Sequence, residues 1–219
     1  MRIRLFPVAA MVLALAACAD EPTPPADSTP SADSTPAADS TPSATTQATE
    51  PEQPFTPEPI TSGVEPAPDD INFAQMMIGH HLQALELVEL ARSNSSNLEL
   101  LALADEIEAA QGPEIEQMTW WVAQEWGYEV LDPADHEDHE MAGMMTRDGL
   151  NDLAALTGTE FDTAWLEGMI FHHEGAVDMA EDELAAGVVP EVREMAQEVI
   201  TVQQSEIVVM QEMIDQLRG

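Results

Sequence analysis

Shifted by 92 residues, the second half of this chain lies on the first without a gap. Met77-Ile78 meets Met169-Ile170, His80-His81 meets His172-His173, and Ala84 meets Ala176. Farther on, Ala104 meets Ala196, Gln111 meets Gln203, Glu114-Ile115 meets Glu206-Ile207, and Met118 meets Met210. A unit used twice in this way buries its apolar face by packing on its copy. Within each copy the pattern is helical. Phe73, Met77, His80, Ala84, Leu87 and Ala91 form one stripe, and Ile107, Gln111, Glu114, Met118 and Trp121 a second. Trp165, Met169, His172, Ala176 and Met179 form a third, and Val199, Gln203, Glu206, Met210 and Met213 a fourth. Steps of three and four residues put each set on one helix face. Asn94-Ser95-Ser96-Asn97 separates the first two helices, and Gly187 with Pro190 the last two. Strand signals are almost absent. The pattern predicts an all-α four-helix bundle made of two tandem helical hairpins, 71–127 and 161–217, joined by a connector at 128–160. The repeat breaks at Gly112-Pro113, where a proline removes a helix hydrogen bond, so a kink or split is expected near Gln111.

The folded domain is expected to begin near Asp69 and run over 69–219. Residues 1–17, with Arg2, Arg4, an apolar run and Leu15-Ala16-Ala17 before Cys18, read as a secretory signal whose apolar run is too short to span a membrane. The ending looks like a bacterial lipobox, which implies cleavage before Cys18 and a lipid on its sulfur. The bland alternative is an ordinary cleaved signal followed by a chance cysteine. Residues 18–68 are rich in Pro, Ser, Thr and Ala, with "ADSTP" written from Ala26, Ala32 and Ala38. This composition predicts a disordered tether, reaching on the order of 150 Å at about 3.1 Å per residue. An exported protein, lipid-anchored on the extracytoplasmic side of a bacterial membrane, is the expectation. Cys18 is the only cysteine, so the domain itself offers neither a disulfide nor a thiolate.

Charge narrows the partners. The chain carries 42 acidic residues against six arginines, a formal net charge of −36. Such a field repels nucleic acid and anionic headgroups. It serves solubility, or it gathers cations. A protein partner or a homo-oligomer stays open.

Of the six histidines, four sit in the two His-His pairs and two, His136 and His139, in the connector "DHEDHEMAGMM". Adjacent helical residues point about 100° apart, so one imidazole of each pair is expected inside the bundle or at its mouth and the other at the flank. Neutral imidazoles suit Cu, Zn, Fe or Ni, and the thioethers of Met76, Met77 and Met169 suit Cu(I). His136 and His139, with Met141, Met144 and Met145, could wrap a cation in the connector, which otherwise reads as a solvated acidic linker. The structural alternative has His80 and His172 donating to Glu114 and Glu206 and only fixing register. Gln111, Glu114, Gln203 and Glu206 lie on inward stripes and must find partners, the histidines being nearest. A phosphate loop, a nucleophile elbow and the Glu-x-x-His pattern of di-iron bundles are all lacking. An enzyme is therefore not expected, and a metalloenzyme ranks last.

The stretches "FAQMMIGHHLQALELVELA", "MAGMMTRDGLNDLAALTGTEFDTAWLEGMIFHHEGAVDMAEDEL" and the two Gln-x-x-Glu-Ile-x-x-Met runs resemble the domain of unknown function 305 family. The resemblance covers about Ile71 to Leu217. It implies a ferritin-like bundle, usually exported, with some relatives binding copper. By position it implies Met77, His80, His81, Met169, His172, His173, His136, His139, Met141, Met144 and Met145 as metal ligands. The expected function is copper sequestration or transfer, as Cu(I) or Cu(II), by a membrane-tethered protein. The alternative is a non-catalytic interaction module with structural histidines, meeting its partner through the acidic face or Trp120, Trp121 and Trp126.

Overall fold

A computed structural model describes residues 55–131 and 141–219. Cys18 and the connector histidines His136 and His139 lie outside the described residues. The helices are α1 Pro68–Asn94, α2 Leu98–Trp120, α3 Arg147–Ala154, α4 Gly158–Ala186 and α5 Pro190–Arg218. The four long ones are the two hairpins of the repeat. Helix α3 is an addition within the connector, and α4 begins ahead of the boundary expected at 161. The starts follow from local chemistry. Asn97 Oδ1 accepts the Glu99 and Leu100 N–H groups, and Thr146 Oγ1 accepts that of Gly149. Pro68 and Pro190 occupy first-turn positions, where no N–H is required.

Helix α2 runs unbroken through Pro113, so the helix is not split near Gln111. Pro113 and Ala109, whose carbonyl the proline leaves without its usual donor, both face solvent, so water can satisfy that carbonyl. The irregularity falls later, in a π-helical stretch, Trp121–Glu125.

The segment 55–67, expected as part of the tether, is instead docked on the bundle. Gln117 clasps Glu58 at both backbone groups, Oε1 accepting its N–H at 2.8 Å and Nε2 donating to its carbonyl at 2.9 Å. The Trp121 indole donates to the same carbonyl at 3.1 Å. Farther along, the Glu191 carboxylate accepts the Thr61 and Ser62 N–H groups and both hydroxyls. Burial alone would raise the Glu191 pKa, but these donors outweigh it and hold it at about 2. Composition hid this docking because the contacts are made mostly by backbone groups.

The core falls into two apolar clusters. One gathers apolar residues from Ala84 to Ala91 of α1, Leu100 to Ile107 of α2, Phe161 to Met169 of α4 and Met210 to Ile214 of α5. The other gathers those from Phe73 to Ile78 of α1, Met118 of α2, Ala176 and Ala180 of α4 and Val192 to Ile200 of α5. Helices α1 and α4 therefore run antiparallel. The residues between the clusters are His80 and His81, Gln111 and Glu114, His172 and His173, and Gln203 and Glu206. A polar layer crosses the middle of the bundle.

At one end of the bundle two carboxyl groups meet. Asp70 is fully buried; its Oδ1 accepts the Val188 and Val189 N–H groups and its Oδ2 that of Ala67. Glu183 lies beside it, also buried. Desolvation first, then the Asp70 charge, raise the Glu183 pKa from 4.5 to about 8, with Asp69 adding and Arg193 opposing; neither Glu183 oxygen has a hydrogen-bond partner among the described residues. The folded state thus keeps a proton that the unfolded chain releases above about pH 4.5. Stability should fall as pH rises from there to about 8 and then level off. Glu183→Gln removes this dependence. We expect the variant to exceed the wild type by about 2–4 kcal/mol at pH 8.5 and to differ little at pH 4.5, read from urea unfolding midpoints. A variant less stable at both pH values would contradict the assignment.

Candidate metal centre

All four paired imidazoles are fully buried, at 0% exposure. This corrects the expectation of one flank histidine per pair. Helix α1 packs on both α2 and α4, so two of its faces are covered and neighbours about 100° apart both point inward. His81 turns to α2, where its Nε2 lies 2.8 Å from Glu114 Oε2. His80 turns to α4 and the connector; its Nε2 lies 3.1 Å from the Ala142 carbonyl, and its ring lies against that of His172, centroids 3.8 Å apart and planes tilted by 37°. The second hairpin repeats the plan. His173 Nε2 lies 2.7 Å from Glu206 Oε2, and His172 Nε2 lies 3.1 Å from the His80 carbonyl. The carboxylate partners therefore belong to His81 and His173, not to His80 and His172 as the structural alternative had it.

These contacts set the protonation. A carbonyl only accepts, so Nε2 of His80 and of His172 carries the proton. Burial, then the neighbouring His81, lowers the His80 pKa to about 3, and burial with the His80 ring pushes His172 down likewise. Both rings are neutral near pH 7, with a lone pair on Nδ1. Among the described residues, Nδ1 of His80, His81, His172 and His173 has no hydrogen-bond partner. The same holds for both amide atoms of Gln111 and Gln203, each 2% exposed, so the histidines do not satisfy them as expected. Glu114 and Glu206 have side chains 20% and 13% exposed, which places their carboxylates at the rim of the layer.

The connector is held against the layer. Gln75 and Gln83, both on α1, each clasp its backbone twice. Gln75 Nε2 donates to the Glu129 carbonyl and its Oε1 accepts the Leu131 N–H; Gln83 does the same at Met145, at 2.9 and 2.7 Å. Sequence reading missed both glutamines, because nothing distinguishes a clasping Gln from a solvated one. Met141 is buried, while Met144 and Met145 are half-buried. Met77 and Met169 are fully buried within opposite apolar clusters, each one helical turn before a histidine of the layer. Trp121 is buried, is bonded to Glu58 and stacks on Trp126, and Trp120 borders a groove with Phe55 and Pro57. The tryptophan surface proposed for a partner is thus partly taken by the chain's own segment.

A family model described as domain of unknown function (DUF305) matches residues 70–214. The chain belongs to the DUF305 family. Its fold is similar to a DUF305 fragment from Deinococcus radiodurans, at 29% identity and TM-score 0.64, over 70% of this chain and 99% of that one. It is also similar to CopM in the Cu(I)-bound form, at 28% identity and TM-score 0.58, over 68% of this chain and 98% of CopM. For CopM in the Cu(II)-bound form the values are 31% and 0.59, over 67% and 96%. No curated protein matches the sequence. No described helix is long and apolar enough to cross a membrane.

The residues of this DUF305 domain fit a soft or borderline cation. Four buried Nδ1 atoms lack partners, and a buried polar atom left without one is costly, on the order of 1–3 kcal/mol. Each has its other ring nitrogen bonded to an oxygen, the arrangement that fixes a metal-binding imidazole and raises its basicity. Among the described residues no three His, Cys, Asp or Glu side chains converge into a ready cage.

Proposed function

We propose that the chain is an exported, lipid-tethered protein that sequesters or hands over copper through the imidazole layer of its bundle. The observation that carries this reading is the set of four buried Nδ1 atoms with no partner among the described residues. Met77 and Met169 supply thioethers on the same helical faces, which favours Cu(I). The CopM structures, bound to Cu(I), Cu(II) and Ag, support the same direction. Glu114 and Glu206 orient His81 and His173 and lend negative charge at the rim. Lipid attachment at Cys18 and donation from His136 and His139 complete the proposal. The net charge of −36 draws cations toward the domain.

Competition of the mature full-length protein against a chromophoric Cu(I) chelator tests it. We expect a dissociation constant below about 1 μM, some 8 kcal/mol of affinity. Binding no tighter than about 10 μM would refute the reading.

A further inference from the structure

We propose that Gly143 and Gly175 are positioning residues for the cation site: their contact sets the Ala142 carbonyl on His80, locks the proton on Nε2 and so leaves Nδ1 as the donor. This rests on reading the imidazole layer as a cation site.

The geometry is close. Gly175 lies inside α4, where glycine costs roughly 1 kcal/mol relative to alanine. A Cβ there would lie 2.1 Å from the Ala142 oxygen, 2.3 Å from its carbonyl carbon and 2.6 Å from Gly143 Cα. The space of that missing methyl is taken by the same oxygen that accepts from His80 Nε2 at 3.1 Å. These are backbone atoms, so the connector would have to move as a whole. Gly143 answers from the other side. It adopts φ +78°, which favours glycine, and a Cβ there would lie 2.8 Å from the Phe171 and His172 oxygens. Neither chain can approach unless both positions lack a side chain.

The connector is also fixed just beyond, which makes the contact directional. Gln83 clasps Met145, and the Met145 sulfur lies 3.1 Å from where a Cβ of Gly168 would be. Gln83 is the repeat partner of Gly175, so one copy of the position holds the connector by its side chain and the other admits it by having none. The Met141-Ala142-Gly143-Met144 run then has a structural meaning. Its glycine lets a carbonyl reach a histidine, independently of any thioether donation. His172 needs no such device, because its Nε2 is bonded to the His80 carbonyl.

The test uses the full-length mature protein, with Gly175→Ala beside Gly112→Ala as control; a methyl at Gly112 would meet nothing within 4 Å. Nitrogen-15 NMR of the metal-free protein at neutral pH reads the His80 tautomer, and chelator competition reads Cu(I) affinity. Wild type and G112A should show one tautomer, protonated on Nε2. G175A should lose that single tautomer and bind Cu(I) about tenfold or more weakly. A wild-type His80 protonated on Nδ1 overturns the proposal without any variant. So does a folded G175A that keeps the tautomer, or one that loses it and binds Cu(I) as before. If wild type binds no Cu(I), the cation reading fails while the tautomer result still judges the hydrogen bond.

Discussion

Replacing His80 and His172 together with alanine is expected to weaken Cu(I) binding by at least about 100-fold, close to 3 kcal/mol. These two rings face each other across the bundle midline, 3.8 Å between centroids, and both present an unpartnered Nδ1. No other pair of donors from the two hairpins is this close among the ring contacts of the described residues. Losing both removes the bridge between the halves. His81 and His173 remain, each held by its carboxylate, so weak residual binding is expected. The metal-free fold should survive. Each ring gives up one hydrogen bond and leaves a small cavity, while the two apolar clusters on either side stay intact. Urea midpoints of the metal-free variant separate lost ligands from a lost fold. A folded variant that binds Cu(I) like the wild type would remove the pair from the site.

The second large effect is on stability. Asp70→Ala should cost about 3–5 kcal/mol, or roughly 10 °C in melting temperature for a domain of this size. The carboxylate collects three backbone N–H groups, two from the start of α5 and one from the start of α1, all at 2.7–2.9 Å. Alanine leaves those donors buried without an acceptor. Relief of the repulsion on Glu183 offsets part of the loss, so the cost in a Glu183→Gln background should be larger. Asp70→Asn, which keeps one acceptor oxygen, should fall between the wild type and alanine. A loss under about 1 kcal/mol for alanine would mean that water replaces the carboxylate, and would contradict its burial.

How much of this was legible follows from the range of each contact. The hairpins were readable because the apolar steps from Phe73 to Ala91 and from Trp165 to Met179 are local and are written twice. The inward aim of His80 and His172 followed from the same steps. The burial of His81 and His173 did not, since it depends on a second helix covering the adjoining face of α1 or α4, a fact of packing and not of period. The split allowed for at Pro113 does not occur, and the Ala109 carbonyl that the proline leaves without its donor faces water. Docking of 55–67 stayed hidden because Gln117 and Glu191 take hold of main-chain groups, which every residue carries. The role of Gly175 was equally silent, because a missing side chain has meaning only once its neighbour is known.

The measurement that bears most directly on the central claim is an anomalous difference map, at the copper absorption edge, of crystals of the Cu(I)-loaded protein. The predicted result is a peak within the polar layer, bonded to Nδ1 of His80 and His172. Copper found only at surface carboxylates or in the connector, with those nitrogens still bare, would contradict it.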